Sequence, residues 1–156
     1  MDKPQFVYVT YIATTPEKLW TALLNGEITR QYWGHRNVSD WKKGSTWTHQ
    51  RAWDGSNLVV LVGKVVEIDP PRRLVLSWAD PTDANDEARH SRVTFDIEPL
   101  SGTVRLTVTH DRLEPDSEME RGITRGWPAV LSSLKTMLET GEPLAGFEWY
   151  RPTAKR

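Results

Sequence analysis

The segment Trp47-Thr48-His49-Gln50-Arg51-Ala52-Trp53 alternates tryptophan with a titratable or cationic side chain. In an extended strand, side chains two apart share a face, so Trp47, His49, Arg51 and Trp53 stand together, opposite Thr46, Thr48, Gln50 and Ala52. If the tryptophans face inward, an imidazole able to move a proton near neutrality and a planar guanidinium suited to carboxylates go with them. An ionised guanidinium cannot sit in an apolar interior unaided. It pairs with a carboxylate, reaches water, or lines a wet cavity. The same pattern also fits a twisted edge strand with its tryptophans at the surface or Arg51 snorkelling to a rim.

A second titratable group follows from parity. In Thr103–His110, Val104, Leu106, Val108 and His110 share the apolar side, which points His110 inward at the strand's far end. Two outcomes are open: convergence with His49 as an acid–base pair, or a buried imidazole satisfied by a hydroxyl. His35 and His90 complete the set of four, with no metal-ligand spacing. HExxH, GxSxG and a glycine-rich phosphate loop do not occur. No catalytic residue, metal or cofactor is therefore assigned.

These groups need elements to hold them. Phe6–Ile12 is β-branched and aromatic and reads as a strand. Thr15, Pro16 and Glu17 form a helix start, followed by an apolar stripe of Leu19, Trp20, Leu23 and Leu24 that Gly26 stops. A second short helix over Glu27–Trp33 ends at Gly34. From Ser45 the pattern is that of successive strands: 45–53, then 58–69 after the turn at Asp54-Gly55, 73–79 after Asp69-Pro70-Pro71, and 91–100 and 103–111 joined by Ser101-Gly102. Leu74, Leu76 and Trp78 share one face, as do Val93, Phe95 and Ile97. The acidic stretch Asp80–Glu87 reads as a mobile loop, either solvated or acting as a lid.

Ile123, Trp127, Val130, Leu131, Leu134 and Leu138 form the apolar stripe of a long closing helix, with Gly141 as its stop. Pro128 cannot donate to the carbonyl of Thr124, so this helix either begins there or kinks there. The stripe needs an apolar partner, and the concave side of the sheet is the large candidate. Trp127 then either fills the core or walls a space between helix and sheet.

At 156 residues the chain is expected to form one domain over residues 1–145 with a tail over 146–156. It lacks cysteine, which excludes disulfides and thiolate metal sites and fits a cytoplasmic setting. The N-terminus shows no signal-peptide pattern, and no apolar run approaches a membrane span. A net charge of −1 leaves no electrostatic footprint for nucleic acid. Eight tryptophans are many for this length, and suit a filled core or a cavity with aromatic walls.

The segments IATTPEKLWTALLN, ITRQYWG, GKVVEIDPPRRLVLSW, VTFDIEP and GWPAVLSSLKTMLETG resemble, in this order, homologues of the activator of heat-shock protein 90 ATPase, within the START-like (SRPBCC) superfamily. The likeness runs from about Val7 to Leu144. It implies an α+β helix-grip fold, a curved antiparallel sheet wrapped around a long C-terminal helix, with two short helices after the first strand. In helix-grip proteins the region of Tyr32 and Trp33 borders the cavity mouth, which adds both to the candidate site. Packing under the sheet edge is their other reading.

The expected function is binding of a small hydrophobic or amphipathic ligand, aromatic or carboxylate-bearing, between sheet and closing helix. Tyr32, Trp33, Trp47, Trp53, Trp78 and Trp127 would supply walls; His49, Arg51 and His110 would supply polar handles, Arg51 for an anionic end. The alternative is a co-chaperone-like protein-interaction domain, although the chain has no room for those activators' separate N-terminal domain. A pocket-based cyclase- or hydrolase-like enzyme is third. The partner is thus a small ligand or a protein, with no nucleic acid and no membrane, and the chain is a monomer or homodimer.

Overall fold

The computed structural model describes residues 3–145, so the expected tail over 146–156 lies outside them. Strand β1 (Phe6–Ile12) leads into α1 (Pro16–Leu24) and α2 (Gly26–Trp33). Six strands follow: β2 (His35–Ser39), β3 (Thr46–Arg51), β4 (Val59–Asp69), β5 (Arg73–Trp78), β6 (Ser91–Leu100) and β7 (Thr103–Asp111). The 23-residue α3 (Glu118–Thr140) closes the order. All pairings are antiparallel in one seven-stranded sheet, ordered β1-β7-β6-β5-β4-β3-β2. This is the expected helix-grip architecture.

Local chemistry sets the junctions. Thr15 caps α1 through Lys18 N, as its sequence position suggests. Asn25, not Gly26, closes α1: its N–H donates to Thr21 O while its side chain accepts from Glu27 N and Ile28 N to open α2. Gly26 begins α2 because a Cβ there would meet Arg36 Cγ at 2.6 Å and Asn37 O at 2.8 Å. Gly34, left-handed at φ 82°, ends α2 and turns the chain into β2.

Ser117 caps α3 by accepting from Glu120 N, and Glu120 reaches back to Asp116 N. The helix thus starts well before Pro128 and runs through it, which removes the reading in which it begins there. Gly141, at φ 92°, stops it as expected. Near that end Glu139 accepts from Ala13 N at 2.8 Å and Lys135 donates to Tyr11 O at 2.6 Å, docking α3 beside β1.

The core lies between α3 and the concave face. Val104, Leu106 and Val108 are wholly buried, together with Leu74, Leu76, Val93, Phe95 and Ile97. On α3, Ile123, Trp127, Val130, Leu131 and Leu134 are buried against them. Two register shifts interrupt the β3–β4 and β4–β5 ladders, between His49 and Gln50 and between Val65 and Glu67. Such shifts increase local twist and bend a sheet.

Candidate functional site

Cross-strand pairing builds the polar end of the site. β2 and β3 set His35 opposite Arg51 and Asn37 opposite His49, all on the concave side. The turn at Gly34 places Trp33 at the end of α2 against this group, its ring 4.4 Å from that of His49. Trp78 from β5 and Trp127 from α3 close on the same ring, and the Trp33–Trp127 and Trp78–Trp127 centroids are both 5.5 Å apart. These separations fall within the range of favourable aromatic pairs.

Between this cluster and the first turns of α3 lies a cavity of about 320 Å³. Trp33, Trp78 and Trp127 form its aromatic wall, and His35, His49 and Arg51 its polar wall. Glu118, Met119, Gly122 and Gly126 border it from the helix. From β4 come Val60 and Leu61, two consecutive residues on one cavity. The shifted register explains this: Leu61 faces His49 and Val59 faces Gln50, leaving Val60 as the extra residue of a bulge.

The hydrogen-bond polarity of His49 follows from its neighbours. Asn37 Nδ2 donates to Leu23 O at 3.1 Å, and a carbonyl can only accept, so this orients the amide. Asn37 Oδ1 therefore faces His49 Nδ1, 2.5 Å away, and that nitrogen carries the proton. Burial first, then the nearby His35, holds His49 well below the ordinary imidazole range, so it is neutral. Its Nε2 is left as a lone-pair acceptor. This atom, Trp78 Nε1 and Arg51 Nε are buried without a hydrogen-bond partner among the described residues. All three residues line the cavity.

His110 has a different setting. Trp127 Nε1 donates to its Nδ1 at 3.1 Å, so its Nε2 carries the proton and donates to Ser91 Oγ at 2.8 Å. Ser91 in turn donates to Trp78 O. Burial pushes His110 down to about 3, and both ring nitrogens are satisfied. His49 and His110 do not form the acid–base pair considered from sequence: His49 stacks on His35, while His110 is tied to Ser91 and Trp127.

Of the nine residues singled out in sequence, Trp33, His49, Arg51, Trp78 and Trp127 meet at the cavity. Tyr32, Trp47, Trp53 and His110 stand off it. Tyr32 is fully buried and donates to Ala22 O at 2.9 Å, and burial raises its phenol well above the usual range. Trp47 packs behind Trp78 at 5.1 Å and donates to Ser77 O at 2.8 Å. Trp53 lies past the end of β3, edge-on to His35 and under the Arg51 guanidinium. Arg51 also pairs with Asp54 at 3.6 Å, so part of its charge is met within the chain.

The Asp80–Glu87 stretch is not a lid, since none of its residues borders the cavity. It carries a 3-10 turn, and His90 holds it by donating to Asp83 O at 2.9 Å. Sequence reasoning missed His35, Val60, Glu118, Met119 and Gly122. The capping pair Ser117 and Glu120 was a readable signal for the last three, because it starts α3 early enough to bring them to the cavity.

Among the described residues no group of three or more His, Asp or Glu converges as a metal site, and no helix is long and apolar enough to cross a membrane.

Comparison with known families supplies a match to the model described as activator of Hsp90 ATPase homolog 1-like protein, over residues 13–139. No curated protein matches the chain. Among solved structures, the Aha1 dimer from Colwellia psychrerythraea superposes with a TM-score of 0.72 at 21% identity, covering 88% of this chain and 98% of that one. A protein from Cytophaga hutchinsonii gives a TM-score of 0.70 at 29% identity, over 88% and 95% of the two chains. An HSP90 activator from Plasmodium falciparum gives 0.59 at 23% identity, over 93% and 94%.

Proposed function

Because the chain belongs to the activator of Hsp90 ATPase homolog 1-like family, and so carries a START-like domain, we propose that it binds a small hydrophobic or amphipathic aromatic ligand between the sheet and α3. The observation that carries this reading is the cavity of about 320 Å³, walled by three indoles and bordered by three residues with unpartnered buried polar atoms. Its size sits at the small end of the ~300–1,000 Å³ usual for ligand pockets, which suits two or three rings. Unpartnered buried polar atoms cost about 1–3 kcal/mol each, so a ligand that meets them gains beyond apolar burial. Trp33, His49, Arg51, Trp78 and Trp127 make the contacts in this reading; Tyr32, Trp47, Trp53 and His110 support them from behind. The binding unit is the single domain expected over residues 1–145, in the cytoplasmic setting that the cysteine-free composition fits.

The test is thermal melting and intrinsic tryptophan fluorescence against a panel of two- and three-ring aromatic compounds, in wild type and Gly122→Phe. A cavity binder raises the wild-type melting temperature and changes its fluorescence, and Gly122→Phe abolishes both responses while staying folded. A panel with no response in wild type ends this reading.

A second reading, a protein partner or homodimer, is favoured by one observation. Val7, Val9 and Tyr11, each about half exposed, form an apolar row on the outer face of the edge strand β1. One structural relative is described as a dimer and another as an HSP90 activator. Sedimentation of wild type against Val9→Lys tests self-association through that row.

A further inference from the structure

We propose that the polar end of the cavity selects a neutral hydroxyl, a phenol or enol, over a carboxylate, with His49 Nε2 accepting the hydroxyl proton in a hydrogen bond. This deepens the ligand-binding reading and rests on it. The inference follows from a chain of donors and acceptors with one consistent direction. Leu23 O can only accept, so Asn37 presents Nδ2 to it and Oδ1 to His49. Oδ1 can only accept, so His49 Nδ1 holds the proton and Nε2 offers a lone pair. Asn37 is thus a positioning residue that sets the tautomer from behind the cavity wall.

Gaining a second proton would convert Nε2 into a donor, but the ring is buried and stacks on His35 at 4.5 Å, an environment hostile to an imidazolium. A carboxylate oxygen placed against this lone pair meets acceptor with acceptor. A hydroxyl meets it with a proton and keeps its own lone pairs for a donor. Trp78 Nε1–H, buried without a partner among the described residues, supplies a donor on a second cavity-lining ring, whose centroid is 6.1 Å from that of His49. The Arg51 guanidinium, the group that would favour an anion, is already shared with Asp54 and the face of Trp53. The aromatic wall takes the remainder of such a ligand.

Calorimetric titration of the whole chain at neutral pH with four probes on one frame tests the inference: 2-naphthol, 2-methoxynaphthalene, naphthalene and 2-naphthoate. The expected result is that 2-naphthol binds about tenfold more tightly than the ether and naphthalene, about 1.4 kcal/mol, with 2-naphthoate weaker than 2-naphthol. In His49→Phe the tenfold preference for 2-naphthol over naphthalene disappears. If the ether or 2-naphthoate equals 2-naphthol in wild type, or the preference survives in His49→Phe, the inference is overturned while the cavity reading stands. If none of the four binds, both fall. Should His49→Phe not fold, imidazole nitrogen NMR of wild type decides. A protonated Nδ1 with an Nε2 resonance that moves on adding 2-naphthol supports the inference, and a protonated Nε2 in the free chain overturns it.

Discussion

The ring of His49 lies on the ring of His35, centroids 4.5 Å apart and planes within 18°, at the junction of two antiparallel strands. Two imidazoles so placed resist a second charge between them. His110, on the far side of the indole cluster, resists charge through burial alone. The chain therefore buries two neutral histidines whose ordinary pKa is near 6.5.

Acid should destabilise the fold through these residues before the carboxylates titrate. Both imidazoles bind a proton less readily folded than unfolded, so between the unfolded value near 6.5 and the folded value, about 3 for His110, the unfolded state holds more protons. Stability is then complete above pH 6.5 and falls as pH drops, by up to about 1.4 kcal/mol per unit for each histidine. Melting temperatures at pH 7.5, 6.5, 5.5 and 5.0 check this. A flat profile over that range contradicts it.

Trp127→Phe should cost more than the lost ring atoms. It removes the N–H that satisfies His110 Nδ1, leaving a buried acceptor unpaired at roughly 1–3 kcal/mol. Loss of a donor to the neutral form should also raise the His110 pKa. Denaturant unfolding reads the first effect, and an imidazole titration by NMR reads the second.

Gly63 is held by close approach. A Cβ there would come 1.8 Å from Ser77 O and 2.5 Å from Trp47 Nε1, displacing the indole from its hydrogen bond with that same carbonyl. Gly63→Ala should lose about 3 kcal/mol or more, since backbone cannot yield as a flexible side chain can. An unfolding midpoint close to wild type is the contrary result.

Gly122 is the opposite case. It sits inside α3 on the cavity border, and a Cβ there meets nothing within 4 Å. Gly122→Ala should therefore stabilise the helix by about 0.8–1.0 kcal/mol. Chemical denaturation measures the gain, and a destabilised alanine variant speaks against open space at this position.

What was legible in sequence and what was not have separate physical causes. Strict alternation in Thr103–His110 exposes the core face, so His110 reads correctly as inward, and in Arg73–Trp78 Trp78 shares its face with the buried Leu74 and Leu76. β2 escaped because its inward residues are the polar His35 and Asn37, the latter held by Leu23 O and His49, and HRNVS has no apolar alternation. Val60 escaped because a bulge breaks the parity on which facing is read. Trp53 was grouped with the β3 face by parity, but the strand ends at Arg51 and the chain turns before it. The orientation of the His49 ring was beyond reach, since it depends on an amide and a carbonyl from two other elements.

The most direct test is the indole N–H spectrum of the isotopically labelled chain, recorded with and without 2-naphthol and assigned by Trp→Phe variants. Trp47 and Trp127 donate to Ser77 O and His110 Nδ1, whereas Trp78 Nε1 has no partner among the described residues. Binding in the cavity should move the Trp78 resonance strongly and leave that of Trp47 nearly unchanged. A spectrum in which no indole moves, or in which Trp78 stays fixed while surface amides respond, would contradict a ligand between the sheet and α3.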